Sequence, residues 1–150
     1  MEIVRDIVCQ VYAGEKSKNI IDLVLDTFIP DYEKLNTDYT FPPNNKDYVF
    51  TTEIEMISYF IENKGLNQTF YWNKSLHNPY RIMVGANITD DDKLVMSLTL
   101  DASLETGEEY LNKLKEVLQS NIGVISFVNP MDYENGEDFV LRYQKSTQYH

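Results

Sequence analysis

Cysteine is nearly absent from this chain of 150 residues: Cys9 stands alone, so no internal disulfide can form. That fits a reducing compartment. Histidine is almost as scarce, at two residues, His77 and His150. One Cys and two distant His cannot assemble a zinc site. A nucleophilic triad needs a held and oriented His, and neither one sits in a segment that would hold it. Cys9, inside an apolar run, reads as a small buried hydrophobe, because buried thiols are inert. The six glycines are scattered and form no phosphate-cradling loop. No apolar run approaches the roughly eighteen residues that a membrane helix needs. The opening Met-Glu-Ile-Val-Arg-Asp carries charges inside its apolar stretch, so no signal peptide is expected. Positive charge is also in short supply: 13 Lys and Arg face 24 Asp and Glu, a net charge of −11. A nucleic-acid binder needs a basic face, and so does a protein of anionic membrane surfaces, so both classes are disfavoured. An acidic surface speeds encounter with basic partners. A cytoplasmic protein without cofactor or metal is expected.

What the chain has in quantity is tyrosine, eleven residues, beside seven phenylalanines. Tyrosine joins an apolar ring to a polar tip and suits half-buried and contact surfaces. A length of 150 residues and 43 % apolar content suit one domain, 1–150, with a full core.

Apolar residues at Ile3, Val4, Ile7, Val8, Val11 and Tyr12 recur at helical spacing, and Gly14 stands where such a helix would stop. Ser17 caps a second helix carrying Ile20, Ile21, Leu23, Val24 and Phe28, with Pro30 after it. The reading is a helical pair over residues 1–30, packed on a sheet-containing body over 39–143. Residues 31–49 connect the two, with Tyr39–Phe41 as a short strand. Thr52 and Glu55 have capping-box spacing, and the helix they start buries Ile54, Ile57, Phe60 and Ile61 and stops at Gly65. Thr69–Trp72 is a strand. Two alternating runs, Ile82 to Ile88 and Leu94 to Leu100, joined by Thr89–Lys93, form a hairpin. Thr106 and Glu109 cap a further helix bearing Tyr110, Leu111, Leu114, Val117 and Leu118, with Asn121 at its end. Gly123–Val128 is a buried strand, Asp132–Asp138 an acidic loop, and Phe139–Tyr143 an edge strand or short helix. The polar tail through His150 reads as loose. The fold class is therefore α+β: an antiparallel sheet of four to five strands with helices on one face, a ferredoxin-like core plus the N-terminal helical pair.

Two acidic groups stand out: Asp90, Asp91 and Asp92 at the hairpin tip, and Asp132, Glu134, Glu137 and Asp138 in the later loop, all but Asp132 being candidate contacts. Three adjacent carboxylates do not converge as calcium ligands do, and the later group lacks the longer calcium-loop pattern that ends in Glu, so neither reads as a metal site. Both suit contact with a basic partner. Strand alternation puts Phe70 and Trp72 on one side and Tyr71 on the other, which makes Tyr71 a surface anchor, with Tyr133 as a second. The polar strand face around Arg81, Asn87, Thr99 and Asp101 is the best place for a pocket, or else a wetted sheet face.

The segment from Asn78 through Asp101, with the Glu108-Glu109-Tyr110-Leu111 helix and the Ile122–Phe127 strand, resembles small immunity proteins of bacterial polymorphic-toxin systems. The likeness is one of layout over residues 50–140. It implies a cytosolic, non-catalytic protein that binds and occludes a cognate toxin domain, such as a basic nuclease. No catalytic residue follows from it. Two other readings stand beside it: a small enzyme or small-molecule binder using the polar sheet face, and a nucleic-acid-mimicking phage or mobile-element protein.

Overall fold

The computed structural model describes residues 3–73 and 75–145, and the tail through His150 lies outside the described residues from position 146 on. Among the described residues nine elements follow one another: β1 (Arg5–Glu15), α1 (Lys18–Phe28), α2 (Glu53–Glu62), β2 (Gln68–Trp72), β3 (Met83–Ile88), β4 (Lys93–Ala102), α3 (Leu104–Leu118), β5 (Gly123–Phe127) and α4 (Gly136–Tyr143). The five strands form one sheet in the order β2-β3-β4-β1-β5. Every neighbouring pair is antiparallel.

The N-terminal helical pair is not what forms. Residues 5–15 are a strand, and it pairs with both β4 and β5 near the middle of the sheet. Ile7, Val8, Cys9, Gln10 and Val11 are all buried, so both faces of β1 are covered. A strand buried on both sides loses its apolar–polar alternation, and its apolar run then matches a helical template equally well. The β-branched Ile7, Val8 and Val11 prefer the pleated backbone. Gly14 is not a helix stop. With φ +84° it sits where the β1–β4 register slips between Tyr12 and Gly14, a left-handed bulge position suited to glycine.

The second member of the pair does form, as α1. Ser17 caps it by accepting from the Ile20 amide at 3.3 Å, and Ile21, Val24 and Leu25 are buried. Leu23 is instead 45 % exposed. In α2, Thr52 accepts from the Glu55 amide at 3.0 Å, while Glu55 reaches back to the amide and hydroxyl of Thr51. The buried residues of α2 are Glu53, Met56, Ile57 and Phe60, and Ile54 faces out. α3 begins earlier than Thr106: Ser103 is its cap and accepts from the Thr106 amide, and Gln119, in a left-handed conformation, closes it in place of Asn121. Tyr39–Phe41 is not a strand. The Tyr39 ring packs on Phe70 and its hydroxyl donates to the Thr69 carbonyl, so this segment covers β2 with side chains and not with a ladder.

Two cores result. The larger lies between one sheet face (Ile7, Cys9, Val11, Val84, Ala86, Ile88, Leu94, Met96, Leu98, Leu100) and α1, α2 and α3. The second face carries a smaller core of Val95, Val124, Phe139 and Tyr143, with Tyr12, Ile122, Met131 and Tyr133 packed against it. Residues 136–143 are thus a helix, α4, and it lies opposite the other three, not on a common face with them. Asn135 caps α4 by accepting from the Asp138 amide. α4 packs chiefly on β1 and β4.

Candidate partner-binding surface

The two acidic segments, 45 residues apart in sequence, meet in space. The Asp91 carboxylate at the hairpin tip accepts from the Gly136 amide at 3.0 Å and from the Glu137 amide at 2.9 Å. These are orphan donors at the first turn of α4, where a negative charge also meets the positive end of the helix dipole. The Thr89 hydroxyl donates to the same carboxylate. Partial burial raises the Asp91 pKa, but the bonds from Thr89, Glu137 and Gly136 outweigh it and hold the carboxyl below its ordinary value. Asp91 is therefore engaged inside the chain.

Two more of the six carboxylates are engaged as well. Asp92, at φ +63°, pairs with Lys16 at 2.9 Å and accepts from the Gly65 amide. Asp138 accepts from the Glu134 amide and pairs with Arg142, both at 2.8 Å. Asp90, Glu134 and Glu137 remain exposed. The corner built by the hairpin tip and the start of α4 thus has an inner set of carboxylates that hold it together and an outer set that faces solvent.

Next to this corner the second sheet face is hollow. A cavity of about 200 Å³ lies between β2–β3–β4 and the segment before α4, lined among others by Tyr71, Asn87, Ser97, Asp132 and Tyr133. Tyr71 is 42 % exposed, on the side of β2 opposite the buried Phe70 and Trp72, as strand alternation requires. The Tyr133 ring packs edge-on against Phe139, and its hydroxyl donates to Asn87 Oδ1 at 2.6 Å. Burial pushes the Tyr133 phenol well above its usual range. Asn87 in turn donates to Thr69 Oγ1 at 2.9 Å. Of Arg81, Asn87, Thr99 and Asp101, only Asn87 lines this cavity. Arg81, Thr99 and Asp101 lie toward the other end of the face. There Asp101 sits opposite Asp6 on β1, and a hydrogen bond with Asp6 raises its pKa, burial adding to the effect, against the pull of Arg81.

Gln10 had no mark in the sequence beyond being polar within an apolar run. It is 3 % exposed, and its amide clamps the main chain of Met131 from both sides, donating to the carbonyl at 3.2 Å and accepting from the N–H at 2.8 Å. That clamp fixes the segment carrying Asp132 and Tyr133. Gln10→Leu is expected to cost about 1–2 kcal/mol, since it orphans a partly buried N–H and C=O. Faster hydrogen exchange at the Met131 amide would report it, and unchanged exchange would contradict it.

Cys9 donates weakly to the Gly107 carbonyl, and burial pushes its thiol up to about 12, so it is no nucleophile at neutral pH. Among the described residues no three His, Cys, Asp or Glu gather as a metal site, and no helix is long and apolar enough to cross a membrane. Comparison with family models, curated proteins and solved structures finds no match.

Proposed function

We propose that this protein is an immunity-type binding protein of the cytoplasm, which occludes a basic toxin domain by means of its acidic corner. The observation that carries this reading is the junction of the two acidic segments through Asp91, which joins the segments that bear the exposed Asp90, Glu134 and Glu137. Like charges held close on a rigid scaffold give a field that steers a basic partner and fixes its orientation. The net charge of −11 supports the same reading. Tyr71 and Tyr133 stand beside the corner as anchors with little conformational entropy to lose. A ferredoxin-like core is part of the proposal: β1 between β4 and β5, with the β3–β4 hairpin beyond, has that strand order, and α2 and β2 then extend it at one edge.

The test is capture from the native lysate by wild type and by the triple variant D90K/E134K/E137K. Wild type is expected to retain one dominant basic protein, encoded by the adjacent gene, and to release it as salt rises. The variant should bind it at least tenfold more weakly at low ionic strength, and the gap should narrow as the Debye length shrinks to about 8 Å at physiological salt. Equal capture by both proteins would remove the acidic corner from the account.

A further inference from the structure

We propose that the cavity on the second sheet face is an anchor site for one arginine side chain of the partner protein. This rests on the binding reading above and names the chemistry it recognises. The cavity lies beside α4. That helix packs chiefly on β1 and β4, and Tyr133 of its leading segment reaches across to Asn87 of β3. Two of the cavity's lining residues are seated by Gly85 beneath them: an added Cβ there would lie 2.3 Å from Ser97 Oγ and 2.9 Å from the Tyr71 ring. A volume of about 200 Å³ is small for a free drug-sized ligand, which takes roughly 300–1,000 Å³, and suits one inserted side chain.

The lining selects the kind of side chain. Among the described residues it contains no Lys, Arg or His, and it carries one carboxylate, Asp132, which is exposed at the rim. The Ser97 hydroxyl makes no hydrogen bond among the described residues, and Asn87 Oδ1 keeps a second lone pair beside its bond from Tyr133. Both are acceptors facing a ligand that donates. Tyr71 and Tyr133 both line the cavity, and aromatic side chains attract a planar cation. Guanidinium is planar, rich in donors and weakly hydrated, so it gains from both features at less desolvation cost than an ammonium. Asp132 and Tyr133 run directly into Glu134, so a partner docked on the acidic corner has the cavity within reach.

The experiment is a titration of the ¹⁵N-labelled protein with N-acetyl-arginine amide. N-acetyl-lysine amide and the neutral isostere N-acetyl-citrulline amide serve as comparators. Arginine amide is expected to shift Gly85, Ser97 and the Asn87 side-chain amide with a Kd of about 1–10 mM, the range for one isolated side chain. Citrulline and lysine amides should bind at least fivefold more weakly. Tyr71→Ala and Asp132→Asn, both exposed enough to leave the core intact, should each weaken arginine at least threefold. No shift at these residues, or equal binding of the comparators, overturns the proposal. This readout is independent of lysate capture. Salt-sensitive capture without arginine binding would overturn the anchor and leave the acidic corner standing. Arginine binding without capture would do the reverse.

Discussion

Replacing Glu53 by alanine is expected to remove about 3–5 kcal/mol of folding stability. Glu53 opens α2, where its charge lies at the positive end of the helix, yet it is 8 % exposed. Its Oε2 accepts from the indole N–H of Trp72 at 3.0 Å and from the Leu35 amide at 2.6 Å. Trp72 is 1 % exposed, at the end of β2, and Tyr32 packs edge-on against it. One carboxylate thus ties three pieces of chain: the helix, the edge strand and the long connection between α1 and α2. Alanine would leave one buried and one partly buried donor without partners, at roughly 1–3 kcal/mol each, and add a small void. Chemical denaturation followed by the fluorescence of Trp72, the chain's single tryptophan, measures it directly. Glu53→Gln keeps one acceptor oxygen and should recover part of the loss. A Glu53→Ala variant within about 1 kcal/mol of wild type would show that solvent reaches these donors easily.

Nothing in the sequence singled out Glu53, and the reason is instructive. A Glu in the first turn of a helix is the ordinary, solvated choice, and its burial depends on a Trp that arrives from a strand later in the chain. The same limit explains β1. Ile7, Val8 and Val11 are equally at home on a helix and in a strand buried on both faces. Only the coverage of the second face by α4, more than a hundred residues later, decides between the two. Where one face was wet or nearly so, local pattern sufficed. The β3–β4 hairpin, the exposed Tyr71 between buried Phe70 and Trp72, and the Thr52 and Ser17 caps follow from periodicity and capping chemistry alone. The cap of α3 was misplaced by one turn because Ser103 and Thr106 both suit the position, and the chain selects Ser103. At the candidate site, residue type told which carboxylates would be near the surface. It did not tell that Asp91, Asp92 and Asp138 would be taken up by amides and cations of the chain itself, since each of those partners except Arg142 and the Glu134 amide comes from a distant segment.

Asp91→Ala is expected to destabilise the protein by about 2–3 kcal/mol, through loss of a charged cap that also joins two elements. The bonds to Gly136 and Glu137 are the only ones seen between the hairpin carboxylates and α4 among the described residues, and the Phe139–Tyr143 face behind them closes the second core. Without them the first turn of α4 has orphan amides, and the segment holding Asp132, Tyr133 and Glu134 loses one of its supports. The Gln10 clamp, the Tyr133–Asn87 bond and the Tyr143 hydroxyl on the Asp132 carbonyl remain. Hydrogen exchange at the Gly136 and Glu137 amides should therefore quicken more than the global loss of stability accounts for. Asp91→Asn keeps an acceptor without the charge, and its difference from wild type should depend on pH. The folded-state pKa of Asp91 lies below the unfolded value of about 3.9. Its contribution is then fully present above that unfolded value and is lost as pH falls through the folded one. The stability gap between wild type and Asp91→Asn should be constant near neutrality and close as the solution is acidified below about pH 4. A gap that stayed open at low pH would mean that the hydrogen-bond geometry, and not the charge, holds α4 to the hairpin. The same variants separate scaffold from contact: Asp91 lies beneath the proposed surface, so Asp91→Ala should weaken capture of a basic partner by loosening the corner, whereas D90K/E134K/E137K should weaken it with the folded stability left nearly intact.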